Sequence, residues 1–253
     1  MSDRKRALIC FPHGIGDVIQ ATPAMRTLYE QGYLLDMMVR PSVINSHLLD
    51  DCPYIGKLMK VRTDTTENGW KEYHIPMFNS IKRSYDLAIT CKLLSAYKHR
   101  QHQIARELGV EPDDFNLDVW INQASVLEAQ EFLKQQLNGK PFIHVHTKTE
   151  AHRKYYWDSM SYVQQAYFDD VPDMPIIDTG HEGNAHKLFE NINTTFMIMR
   201  YATHRVLSIS VMAAAADALQ LPIDILNCVD KDHHCLPLNR KLIKKCRIGG
   251  KIQ

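Results

Sequence analysis

Asp17 is the residue whose type and place in the chain fit acid–base chemistry best. It ends the segment Phe11-Pro12-His13-Gly14-Ile15-Gly16-Asp17, which follows the apolar run 6–11 and opens an amphipathic stretch over residues 17–31. Strand, glycine turn and helix in that order set a carboxylate at the carboxyl end of a strand, where open α/β sheets place their ligands. Gly14 and Gly16, lacking Cβ atoms, are expected to let the chain turn tightly and a ligand approach, with His13 beside them. A dinucleotide fingerprint needs a third glycine where Ile19 stands, so NAD or FAD binding is not supported. Taken on spacing alone a structural role is the favoured one: Asp17 followed by Gln20 matches a capping box, and Thr22-Pro23 an ordinary cap with a first-turn proline.

A second group of polar residues follows the strand FIHVHT at 142–147. Thr147, Lys148 and Thr149, with Arg153 and Lys154 in the same loop, bring hydroxyls and cations to a strand end, the composition of a diphosphate clamp or of a solvated basic loop. Further on, Thr179-Gly180-His181-Glu182-Gly183 follows a short strand. Ser208 and Ser210 precede a helix whose first amides can face a phosphate. Cys228 and Cys235 enclose His233 and His234, but this spacing fits no common zinc pattern, and no metal is expected.

The elements that position these residues alternate. In the first half strands are expected at 6–11, 34–39, 57–62 and 85–90, with a short helix closed by Pro53, a helix at 98–110 ended by Gly109, and a long loop over 63–84. The acidic, turn-prone stretch 111–122 marks a boundary. The pattern then restarts with a helix at 125–137, whose apolar stripe is Leu127, Phe132, Leu133 and Leu137. Strands at 142–147, 175–178, 205–210 and 223–228 follow, with helices at 157–169, 184–192 and 211–220. This predicts an α/β protein with two Rossmann-like domains, residues 1–122 and 123–253, facing across a cleft.

Composition bounds the function. In 253 residues, 30 Lys and Arg balance 29 Asp and Glu, so no global field draws the chain to a polyanion and any phosphate contact must be local. The basic run is 238–253, with Arg240, Lys241, Lys244, Lys245, Arg247 and Lys251, either a solvated face or a phosphate contact. No apolar run reaches the roughly 20 residues of a membrane helix, and the first residues lack a signal-peptide core. Six scattered cysteines without a C-x-x-C pair suit reduced thiols, and a cytoplasmic setting is expected.

The opening GIGDVIQATPAMRTL resembles that of the heptosyltransferases of glycosyltransferase family nine, whose first strand ends in a Leu-Gly-Asp turn and a Thr-Pro helix. Later pieces agree in order. YDLAIT resembles the family's "YDLVID", FIHVHTKTEAHRKYYW its "HPGAS…KRWP", IIDTGHEG its "GGPxE", and VLSISVMAAAADALQLPIDIL its "VGNDSGxxHLAAALGTPVVAL". The likeness spans residues 7–228, and the opening motif is its most specific part.

The resemblance implies a compact fold of the GT-B type. The C-terminal half would hold a nucleotide-sugar and the N-terminal half would face the acceptor. Asp17 stands where the family has its proposed general base, which takes the acceptor's hydroxyl proton in an inverting displacement needing neither metal nor cofactor. Lys154 or Arg153 stands for the phosphate-binding lysine and Glu182 for the residue holding a ribose hydroxyl. Where the family has Asp-Ser/Thr-Gly and a later His, this chain has Ile209-Ser210-Val211 and Ala214, which opens the donor to a hexose, heptose or pentose. The expected activity is thus transfer of a sugar from a nucleoside diphosphate to a hydroxyl, on an envelope glycan or its lipid-linked precursor. A modified base in DNA is the alternative acceptor, and a non-catalytic nucleotide-sugar binder the alternative from another class.

Overall fold

The computed structural model describes residues 4–63, 66–93, 99–146, 173–179, 189–228, 240–248 and 251–252. The chain divides into two compact units, Met1–Asp118 and Val119–Gln253.

Unit 1 is a parallel sheet in the order β3-β2-β1-β4, made of β1 (Lys5–Cys10), β2 (Tyr33–Val39), β3 (Ile55–Lys60) and β4 (Leu87–Thr90). Ala7 to Cys10 and Leu35 to Val39 are buried without alternation, as in a sheet covered on both faces. The amphipathic stretch after β1 forms α1 (Ile15–Gln20) and α2 (Thr22–Glu30), joined at Ala21. Thr22 does not cap. Its hydroxyl donates to the Ile19 carbonyl and accepts from the Asp118 amide, 2.8 Å each. Arg26 on α2 meets Asp114 and Asp118 at 2.6 Å, so the acidic stretch is pinned to unit 1 through residue 118.

The long loop expected over 63–84 is helical instead. After α3 (Pro41–Asn45) and β3, the chain forms α4 (Glu67–Gly69), a π-helical turn (Trp70–His74), α5 (Ile75–Ile81) and a 3-10 turn (Lys82–Ser84). Trp70 and Phe78 pack on Leu8, Cys10 and Met38. The wider π turn shifts the apolar positions out of a 3.6-residue period, which hides the helix from pattern reading.

Asp36, in the middle of β2 and 1% exposed, receives the Arg6 guanidinium and, at 2.8 Å, the Tyr85 hydroxyl. Gly56 on β3 makes room for it, since a Cβ there would lie 2.9 Å from Asp36 Oδ1.

Unit 2 has a sheet in the order β10-β9-β8-β7-β5-β6, parallel except for β10. Its strands are β5 (Ile143–His146), β6 (Ile176–Asp178), β7 (His204–Ser208), β8 (Ile223–Cys228), β9 (Ile243–Ile248) and β10 (Lys251–Ile252). Helix α6 (Arg100–Leu108) belongs to unit 1; α7 (Gln123–Leu137), α8 (Ile192–Tyr201) and α9 (Val211–Ala218) belong to unit 2. The Asn122 side chain caps α7, which ends on Asn138 and Gly139 with φ of 47° and 82°.

Three expectations change in unit 2. Of the apolar stripe expected on α7, Leu137 is buried and Phe132 and Leu133 pack against the same core as Ala129, whereas Leu127 is 56% exposed and its place on the core side is taken by Val126. The helix expected at 184–192 falls outside the described residues as far as 188, and α8 begins only at Ile192. Helix α8 lacks an alternation signal because Ile192 to Met199 are all buried, and its Ile and Thr are weak helix formers. It is held by Arg205, which donates to the carbonyls of Met199, Arg200 and Ala202 at 2.7 to 2.9 Å. Finally, the basic run contributes β9 and β10, so much of its backbone is sheet. The helix expected at 157–169 lies outside the described residues. Among the described residues, no helix is long and apolar enough to cross a membrane.

Candidate active site

The strand order of unit 1 reverses at β1. The chain steps from β1 to β2 and β3 on one side and returns as β4 on the other, so the loops after β1 and β4 part at the carboxyl edge and leave a crevice, the switch point of a doubly wound sheet. Asp17 and His13 come from the first loop and its helix. Cys91 follows β4 and Arg100 begins α6.

The carboxylate of Asp17 is positioned by two groups. Its Oδ2 accepts the Gly14 amide at 3.2 Å and its Oδ1 lies 3.2 Å from Arg100 Nε. Asp17 is therefore not the N-cap that the capping-box spacing suggested. Gly14 is the cap, Asp17 the third residue of the helix reaching back to it, and Gln20 a buried residue within the helix. Gly14 has φ −72° and ψ 166°, and neither Gly14 nor Gly16 is among the glycines of positive φ. The turn thus uses no left-handed backbone, because the chain enters α1 directly from extended geometry. What Gly14 provides is open approach, since a Cβ there would meet only Asp17 Oδ2, at 3.6 Å.

His13 is 8% exposed and its Nε2 pairs with the Cys91 carbonyl at 2.7 Å, joining the β1 loop to the β4 loop. Its ring stands edge-on to Phe11, with Trp70 at 6.3 Å. Burial lowers its pKa, an effect opposed by the Cys91 bond and Asp17 and reinforced by Arg40 and Arg100. The imidazole is neutral near pH 7. Glu107 on α6 receives the amides of Lys92 and Leu93, at 2.5 and 3.2 Å, and so fixes the β4 loop. Along the same carboxyl edge, a cavity of about 760 Å³ opens between β3 and the 67–81 helices, lined by Pro41, Lys60, Arg62, Tyr73, His74 and Met77. Arg62 stacks on the Tyr73 ring at 3.9 Å.

In unit 2 the order reverses at β5, between β6 and β7. Thr147, Lys148, Thr149, Arg153, Lys154, Gly180 and Glu182, all expected to bind a donor, lie outside the described residues, as does Cys235. Two expected donor residues are described. Ser208 donates to the His146 carbonyl at 3.1 Å, tying β7 to β5, and Ser210 caps α9 by accepting the Met212 amide at 3.2 Å.

Beneath this edge lies a cluster that the sequence reading passed over. His144 and His146 approach the Thr179 hydroxyl at 2.8 and 3.4 Å, and all three residues are buried. Two histidines at i and i+2 of one strand share a face, and that spacing was the available signal. Arg100 carried no signal, because its pairing with Asp17 depends on the packing of α6 against α1.

Burial holds the His144 pKa well below its ordinary value, with His146 and Arg205 adding to the effect. The unfolded chain therefore binds a proton near pH 6.5 that the folded chain refuses, so stability from this residue is full above that pH and lost as the pH falls. His144→Gln should flatten the decline in stability between pH 7 and pH 5, measured by urea unfolding. An unchanged slope would show that His144 does not contribute to it. Among the described residues, no three His, Cys, Asp or Glu side chains converge as a metal site would need.

Two Rossmann-like α/β units, one on a parallel and one on a mainly parallel sheet, have the architecture of the GT-B glycosyltransferases. No protein-family model and no curated protein matches the sequence. Solved structures do match in fold. A glycosyl transferase family 9 protein of Veillonella parvula superposes with a TM-score of 0.67 at 13% identity, covering 96% of this chain and 85% of that one. The ADP-heptose LPS heptosyltransferase II of Escherichia coli gives 0.65 at 15% identity, covering 96% and 89%. The E. coli heptosyltransferase WaaC, solved with ADP, gives 0.58 at 13%, covering 97% and 94%.

Proposed function

We propose that the protein is an inverting glycosyltransferase that moves a sugar from a nucleoside diphosphate to an acceptor hydroxyl. The observation that carries this reading is the placement of the Asp17 carboxylate at the switch point of the first sheet, held by Gly14 and Arg100. The fold shared with a heptosyltransferase solved with ADP supports it. In this reading unit 2 binds the donor through the loops after β5 and β6, including Thr147, Lys148, Thr149, Arg153, Lys154, Gly180 and Glu182, with Ser208, Ser210 and the amides opening α9. Unit 1 receives the acceptor, for which the cavity beside Lys60 and Tyr73 provides room.

The chemistry is a single displacement. The acceptor oxygen attacks the anomeric carbon, the bond to the diphosphate breaks, and the negative charge of Asp17 makes removal of the hydroxyl proton favourable. Protein cations and helix N-termini neutralise the departing diphosphate, so the reaction proceeds without a metal ion or organic cofactor. The acceptor is an envelope glycan or its lipid-linked precursor, and the enzyme works in the cytoplasm.

A ligand that binds only the folded chain raises its melting temperature. One of ADP, UDP, GDP or CMP, or its sugar conjugate, should raise the midpoint by about 5 to 10 °C at roughly 100 times its Kd, in EDTA. A flat response to every nucleotide and conjugate would reject the reading.

A further inference from the structure

In the proposed transfer the acceptor's hydroxyl proton needs a receiving atom. Each oxygen of Asp17 already has a partner, Gly14 N–H at Oδ2 and Arg100 Nε at Oδ1. His13 differs. Its Nε2–H donates to the Cys91 carbonyl, so in the neutral ring the lone pair sits on Nδ1, which has no hydrogen-bond partner among the described residues. The residue is not sealed, since it keeps 8% of its surface exposed.

We propose that His13, through Nδ1, is the proton acceptor of the transfer step, with Asp17 as the charge that stabilises the resulting imidazolium. The inference rests on the transferase reading and refines it. The attacking oxygen forms its bond to the anomeric carbon, and the sugar–phosphate bond breaks with its electron pair leaving on the nucleoside diphosphate. The hydroxyl proton passes to His13 Nδ1 and is returned to solvent as product leaves. The Cys91 carbonyl fixes the tautomer and orientation that this requires, as the partner of a catalytic histidine does. The charged groups facing the ring are Asp17 on α1, which favours the imidazolium, and Arg40 after β2 and Arg100 on α6, which oppose it. The Trp70 ring lies tilted at 6.3 Å, with Lys92 over it at 5.7 Å. The balance keeps the imidazole neutral and ready to accept at neutral pH.

The test is nucleoside diphosphate release from ADP-glucose, UDP-glucose and GDP-mannose, with water as the acceptor, followed from pH 5 to 9. His13→Gln can keep an amide donor for the Cys91 carbonyl but has no basic atom. It should lower kcat at least 100-fold and abolish the acid limb, while Asp17→Asn should keep an acid limb moved to lower pH. His13→Asn provides a second variant, and a melting temperature close to wild type shows that either has folded. Wild-type-like release by His13→Gln with its acid limb intact would overturn the assignment. Failure of the wild type to release nucleotide from any of the three donors would instead reject the transferase reading, and the role of His13 with it.

Discussion

Asp17→Asn is expected to lower sugar transfer or donor hydrolysis by about 100- to 10,000-fold, the range of general acid–base assistance, because the charge that favours the proton transfer is lost. The substitution is nearly isosteric. An Asn side-chain oxygen can still accept the Gly14 amide, so the start of α1 should keep its cap. What disappears is the negative charge opposite Arg100 and His13. Stability should fall by only about 1 kcal/mol, because Arg100 keeps partial access to water, with 16% of its side chain exposed. Nucleotide binding should be unchanged, since the donor belongs to the other unit in this reading. Paired measurements of turnover, melting temperature and nucleotide Kd check the three parts together. Equal turnover in both proteins would remove Asp17 from the chemistry.

The second large effect concerns folding. Arg6→Met should destabilise the protein by about 3 kcal/mol, although Arg6 itself is 46% exposed. The cost falls on Asp36, which is 1% exposed and would keep only the Tyr85 hydroxyl. A buried carboxylate stripped of its cation is far more expensive than the ion pair was favourable. The reverse change, Asp36→Ala, should cost less, because Arg6 can turn to water and a carboxylate oxygen without a partner is removed. Chemical denaturation at pH 7 measures the gap between Arg6→Met and wild type. A loss below 1 kcal/mol at pH 7 would show that Arg6 does not offset the buried charge.

The frame of the fold was legible because its signals are local. The apolar runs of β1, β2, β4, β5, β7 and β8, the glycine that ends α6 and the alanine-rich α9 carry their assignments in consecutive residues. Segments with nonlocal or interrupted signals were not legible. The π turn at Trp70–His74 broke the helical period of 67–81, and α8 is buried all round, so no polar face marks it. Nothing in the strand pattern of 34–39 marks Asp36 as buried, because Arg6 and Tyr85 converge on it only in the folded sheet. The site divides in the same way. Asp17 and His13 could be picked from one short motif, whereas Arg100, the Cys91 carbonyl and Thr179 enter only through strand order and packing.

The proposed cleavage of the bond between a sugar and a nucleoside diphosphate is tested most directly by nucleotide release by the purified wild-type protein from ADP-, UDP- and GDP-linked sugars in EDTA, read by chromatography. The account predicts release of one nucleoside diphosphate, lowered at least 100-fold in Asp17→Asn and retained in a surface control such as Leu127→Gln, whose residue is 56% exposed. Release that persists unchanged in Asp17→Asn, or no release from any donor, would contradict it.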